Sequence, residues 1–187
     1  MSVHSVSENP SHTTMTKILH WVMAILILLM FMAFFGFAAA NTDAKRMEML
    51  VGHSSIGTIV LVLAIIRLIN AVFKSVPNPS HNLQTWQKNI SAITHKILYV
   101  LLFYVPLTGL LTARVHDLPV MLFGSINLAD STSPFILEQF VSMKSLHLAG
   151  VYCLMVILTS HILAALFHKF VLKDAVLSSM WRKPKSS

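Results

Sequence analysis

The sequence predicts an all-α integral membrane protein built as a bundle of four transmembrane helices. Of its 187 residues, 55% are hydrophobic and only 11% are charged, and the mean hydropathy is +0.70, far from the composition of a water-soluble domain. Four apolar runs, 18–40, 52–73, 97–112 and 146–167, reach or approach the roughly 20 residues with which a helix crosses hydrocarbon. None of them contains Asp or Glu. The expected division is a polar tail over 1–14, one membrane domain over 15–176 and a basic tail over 177–187, with no separate soluble domain.

The first run is longer than a signal-peptide core and no small-residue cleavage pattern follows it, so it reads as a retained span. Its N-terminal flank, with His4 and His12, reads as a solvated tail. After the second run, Pro77-Asn78-Pro79 stops the helix, and the polar stretch 81–92 around Trp86 reads as an interfacial helix leading into the third span. That third span is the shortest. Pro106, within Tyr104-Val105-Pro106-Leu107-Thr108-Gly109, should kink it or free a carbonyl near its outer end. The loop between spans three and four holds Pro119, Gly124 and Pro134, and its apolar Val120-Met121-Leu122-Phe123 should lie against the bundle mouth. The single cysteine, Cys153, falls inside the fourth span. It excludes a disulfide framework, a thiolate zinc cluster and a C-x-x-C-H attachment site, and reads as a small core residue.

A net charge of +7 raises nucleic acid as a partner, but the distribution of the cations argues against it. Lys17, then Arg67, Lys74, Lys88 and Lys96, then Lys169, Lys173, Arg182, Lys183 and Lys185 border the N-terminus, the second connection and the C-terminus. Those flanks should be cytoplasmic, with both termini inside. The first connection is balanced by Asp43 and Glu48, and the third is slightly acidic, as the outer side of a membrane requires.

Histidines carry the chemistry. His147 and His161 are fourteen residues apart, about 21 Å along a helix and only about 40° apart around it. Ionisable groups at membrane depth mark function. Topology sorts the membrane histidines into two layers: His53 and His147 toward the outer face, and His20, His95 and His161 toward the cytoplasm. Within layers His53 pairs with His147, and His161 pairs with His20 or His95. Two imidazoles per iron give a low-spin haem suited to electron transfer, so the bundle is expected to hold two haems b by axial ligands and packing alone. A porphyrin beside a helix needs small residues one turn from the ligand, and Ala24 follows His20, Gly57 follows His53, Gly150 follows His147, and Ala164 and Ala165 follow His161. His95 is followed by Leu98 and Tyr99, so His20 is the expected inner ligand. Arg67, fourteen residues after His53, suits either a haem propionate or the membrane boundary, where an arginine snorkels. His95 and His168 read as interfacial polar groups near propionate or substrate, and His81 and His116 as loop residues.

Several segments carry a resemblance: Leu19-His20-Trp21, Gly52-His53, Ile66-Arg67-Leu68, His95-Lys96-Ile97-Leu98-Tyr99, Pro106-Leu107-Thr108-Gly109, Ser142-Met143-Lys144-Ser145-Leu146-His147, His161 with Ala164-Ala165-Leu166-Phe167-His168, then Lys173-Asp174 and Met180-Trp181-Arg182. Over nearly all of 17–185 the chain resembles the bacterial dihaem cytochrome b561 family. That resemblance implies the ligand pairs His20/His161 and His53/His147 and a place in the bacterial inner membrane. For a superoxide oxidase-like subgroup it further implies electron flow from superoxide outside to ubiquinone inside. The chain keeps Lys144 beside His147 as that subgroup does, and departs from it where His168 is followed by Lys169 rather than a second histidine. Lys144 and Arg114, with His116, are the expected attractors of a small anion, and His168 the expected quinone contact. An alternative keeps the haems but makes the chain a membrane anchor and electron conduit for a dehydrogenase partner. A haem-free ion transporter fits less well, because the spans lack the carboxylates that cation pathways use.

Overall fold

In a computed structural model of the chain, residues 13–73, 83–116, 121–127, 136–174 and 176–180 are described. Pro77, Pro79, His81, Val120, Trp181 and most of the two expected tails, with His4 and His12, lie outside them. Four long helices make the bundle: α1 (Thr14–Ala39), α2 (Asp43–Phe73), α3 (Thr85–His116) and α4 (Leu137–Phe167). All four are long and apolar enough to cross a membrane. A two-stranded hairpin, β1 (Met121–Leu122) and β2 (Ile126–Asn127), lies between α3 and α4, and a short α5 (Val176–Ser179) follows.

Local chemistry sets the helix ends. Thr13 caps α1, its hydroxyl accepting the Thr16 N–H at 3.3 Å. The extended Ala40 ends α1, and Thr42 Oγ1 then accepts the Lys45 N–H at 3.2 Å to open α2. The polar residues Asp43 to Glu48, expected in a loop, therefore form the first turns of α2, with Arg46 paired to Asp43 at 3.1 Å. At the start of α3, the Gln84 N–H donates to Gln87 Oε1 at 2.9 Å, one half of a capping box. The span expected at 97–112 is thus the apolar part of a 32-residue helix. Its polar first turns are the stretch expected as a separate interfacial helix, because a cap at Gln84 and continuous helical bonding leave no break before His95. Helix α4 runs into one π turn, His168–Leu172, closed by Lys173 in the left-handed region at φ 54°.

Around the bundle α1 packs on α2, α2 on α3 and α3 on α4. Helices α1 and α4 face each other through side chains, including Phe34 and Tyr152 at 6.1 Å between ring centres. The buried core is small: Met23 and Ile27 of α1, Val60 and Ala64 of α2 and Leu102 of α3. Most of the apolar surface points outward, with Met32 70%, Val72 72% and Val156 65% exposed, as a surface solvated by lipid requires. Cys153 is on that exposed surface rather than in the core, while its neighbour Leu154 turns inward. Hydroxyls in the spans bond back to their own helices, Ser55 Oγ to Val51 O at 2.8 Å and Thr58 Oγ1 to Ser54 O at 2.8 Å, which satisfies them without water.

The hairpin turns at Phe123 and Gly124, both with positive φ (51° and 73°), a conformation glycine adopts without strain. It is tied to α2 by the Phe123 N–H, which donates to Ser55 Oγ at 2.9 Å. The expected docking of this segment holds for β1, which packs on α2 with Leu122 half-buried, but not for Phe123. The Phe123 side chain is 72% exposed, and that residue is attached through its backbone. At the other end of the molecule Asn70 Nδ2 donates to Thr16 Oγ1 at 3.0 Å, and Trp21 Nε1 donates to Met180 O at 3.3 Å, fastening the C-terminal segment to α1.

Candidate functional site

The core cluster separates two histidine layers. Along α4 the order is His147, Leu154, Leu158, His161; along α2 it is His53, Val60, Ala64, Arg67. In one layer His53 and His147 face each other, ring centres 6.1 Å apart and planes nearly perpendicular. Phe37 of α1 packs edge-on against His53 at 5.9 Å. His147 Nδ1–H donates to Val105 O at 3.0 Å, which leaves its Nε2 with a lone pair. His53 Nδ1 is buried with no hydrogen-bond partner, a deficit that marks a position built for something other than side-chain packing.

The second layer surrounds a cleft of about 540 Å³, its open mouth included, lined by His20 and Ala24 of α1, Arg67 of α2, His95 and Tyr99 of α3, and His161 of α4. Arg67 lies over the Tyr99 ring, its guanidinium carbon 5.6 Å from the centre, and so faces the cleft rather than lipid. His95 stands edge-on to His161 at 5.2 Å, and its Nδ1–H donates to Ser91 O of its own helix at 2.7 Å. The structure therefore brings His20, Arg67, His95 and His161 to one chamber and His53 with His147 to the other.

Among the described residues no group of three or more His, Cys, Asp or Glu is placed to hold a metal ion. Paired imidazoles of this kind suit a metal that arrives with most of its own ligands, as iron does in haem. An iron between two imidazoles needs ring centres about 6 Å apart, two metal–nitrogen bonds of about 2 Å plus the ring radii. The His53/His147 separation meets that. The outer pair thus fits haem on this measure, and the inner chamber gathers imidazoles that could serve as ligands.

Lys144 is exposed on α4 one turn before His147, its Nζ 5.7 Å from the Phe140 ring centre, and Arg114 is exposed near the end of α3. His116 is the last residue of α3. His168 Nδ1–H donates to Asp174 Oδ2 at 2.5 Å, with both side chains 17% exposed. Asp174 Oδ1 accepts the Val176 N–H at 3.0 Å, and the Asp174 N–H returns to His168 O at 3.2 Å. Sequence reasoning gave Asp174 no role; its signal was an acid six residues past a helix-terminal histidine. The small residues expected beside the ligands divide. Ala24 lines the cleft, but Gly150 is covered by Tyr104, whose ring would lie 2.6 Å from an added Cβ. That glycine serves close packing of α3 on α4.

A four-helix membrane bundle with paired histidines in two layers defines a membrane cytochrome b. The prokaryotic cytochrome b561 family profile matches residues 11–183, and the chain belongs to that family, a family of membrane electron-transfer proteins. It is 26% identical over 172 residues to "Cytochrome b561 homolog 2" of Escherichia coli (strain K12), covering 89% of each chain. It is 27% identical over 173 residues to "Probable superoxide oxidase CybB" of Yersinia pestis, covering 89% of this chain and 93% of that one.

Proposed function

We propose that this protein takes electrons from superoxide at the outer face of the bacterial inner membrane and delivers them through two bis-histidine b haems to ubiquinone at the inner face. The observation that carries this reading is the pair of imidazole layers on either side of an apolar core, joined by His147 and His161 of α4. Similarity to a relative named as a superoxide oxidase supports the donor. The overall reaction balances as two superoxide ions, one quinone and two protons giving two dioxygen molecules and one quinol. Bound haem would supply the one-electron exchange.

His53 and His147 would hold the outer haem, and His20 and His161 the inner one. Arg67 offers its guanidinium to an inner propionate. His168, oriented by Asp174, contacts the quinone or passes it a proton; the cytoplasmic end of α4 brings it close to water. Both termini are cytoplasmic, since the basic flanks gather on that side. Reporter fusions after Lys185 and within 127–133 should report opposite sides of the membrane, and the same side for both would overturn the layering.

Superoxide is an anion, and the exposed Lys144 and Arg114 place positive charge at the outer layer. Mixing the purified protein with superoxide in a stopped-flow spectrometer should reduce haem, and added ubiquinone should then be reduced. Charge steering weakens as salt shortens the screening length, so haem reduction should slow in Lys144→Ala and with rising salt at unchanged haem content. A rate indifferent to both removes the steering role. His168→Ala should slow only the quinone step. No haem reduction by superoxide, with a soluble redox subunit copurifying, would instead establish the conduit reading.

A further inference from the structure

We infer that the segment 104–109 of α3 positions His147 and tunes the outer centre, with Thr108 as its adjustable element. The inference rests on the reading of His147 as an axial ligand. Three observations converge on this imidazole. Its Nδ1 lies 3.0 Å from Val105 O and 3.4 Å from Thr108 Oγ1. The one hydroxyl hydrogen of Thr108 is committed to its own helix, to Tyr104 O at 2.8 Å or Val105 O at 3.0 Å, so toward His147 this oxygen can only accept. The Nδ1–H therefore sits between two acceptors.

Gly109 supplies the space. A Cβ there would lie 3.1 Å from His147 Cε1 and 3.2 Å from Nδ1, so the ring rests against bare backbone. Tyr104 holds the other side of the joint: its hydroxyl donates to Leu146 O at 3.3 Å, and its ring fills the gap over Gly150. Thr108 itself is buried, only 7% exposed, and no water is needed to satisfy it.

Acceptors on the distal N–H of a metal-bound histidine fix its tautomer and ring plane and make it a more basic ligand. A more basic ligand favours the oxidised metal. Loss of the Thr108 oxygen should therefore raise the outer haem's midpoint potential and leave the inner one unchanged. A threonine that merely bonds back to its own helix has no such effect.

The test is a redox titration with low-temperature electron paramagnetic resonance on the purified protein, its haem counted per chain. The outer signal is identified as the one that His147→Ala removes. Thr108→Val keeps the shape and deletes the hydroxyl; it should retain two haems, raise the outer potential and shift the outer low-spin signal. Thr108→Ser should restore both. Gly109→Ala should displace the ring and change the outer signal or lose that haem. An unchanged outer potential and signal in Thr108→Val, a fall in that potential, or an equal shift of both haems would overturn the inference. Retention of two low-spin haems by His147→Ala would instead refute the ligand reading beneath it.

Discussion

Replacing His53 or His147 with Ala is expected to reduce the haem content of the purified protein from two per chain to one. The remaining haem should keep a low-spin spectrum. Each imidazole comes from a different helix, α2 and α4, so neither variant leaves a substitute within the outer layer. Their rings, 6.1 Å apart, already have the separation that one iron between them needs, about 6 Å. The four helices should survive, because the core of Met23, Ile27, Val60, Ala64 and Leu102 lies between the layers and does not include either residue. Pyridine haemochrome counting against protein concentration gives the answer directly. Two haems in both variants would mean that this pair holds none.

The inner chamber sets a sharper test, for three imidazoles line it and an iron takes two. His20→Ala and His161→Ala should each lose the inner haem, whereas His95→Ala should retain both. Two features of His95 support this assignment. Its Nδ1–H is held by Ser91 O of its own helix at 2.7 Å, and its ring centre stands 5.2 Å from that of His161, closer than the roughly 6 Å an intervening iron requires. His20 approaches the cleft from α1, with Ala24 beside it leaving room. Loss of a haem in His95→Ala with two retained in His20→Ala would reverse the choice of ligand. The optical spectrum of each variant, reduced minus oxidised, separates these results without any assay of turnover.

The four spans and the two histidine layers are legible in the sequence, because hydropathy and helical period are local properties. Fourteen residues between His147 and His161 repeat the same helix face whatever surrounds it. The gathering of His20, His95 and His161 at one end followed from alternating span directions and from the positions of Lys and Arg. Resemblance to the cytochrome b561 family drew on the same short segments, and the family match over residues 11–183 agrees with it.

What a window of sequence cannot show is which faces meet. Helix α3 was read as short because its first turns are polar, yet the Gln84–Gln87 cap carries the helix through them. Cys153 was placed in the core by its apolar neighbourhood, and it faces outward, since in a bundle solvated by lipid the outside is as apolar as the inside. Gly150 was read as room for a porphyrin and instead receives Tyr104. Residues 104–109 showed only a proline and a glycine in sequence, and they became the seat of His147 once α3 and α4 packed together. The sequence by itself determined the number of spans, their order and the place of each span histidine along its helix, all set by the free energy of apolar transfer and the pitch of one helix. The tertiary structure alone decided which acceptors meet His147, which side chains enclose the inner cleft and where Asp174 meets His168, because each joins residues whose distance depends on how separate elements pack.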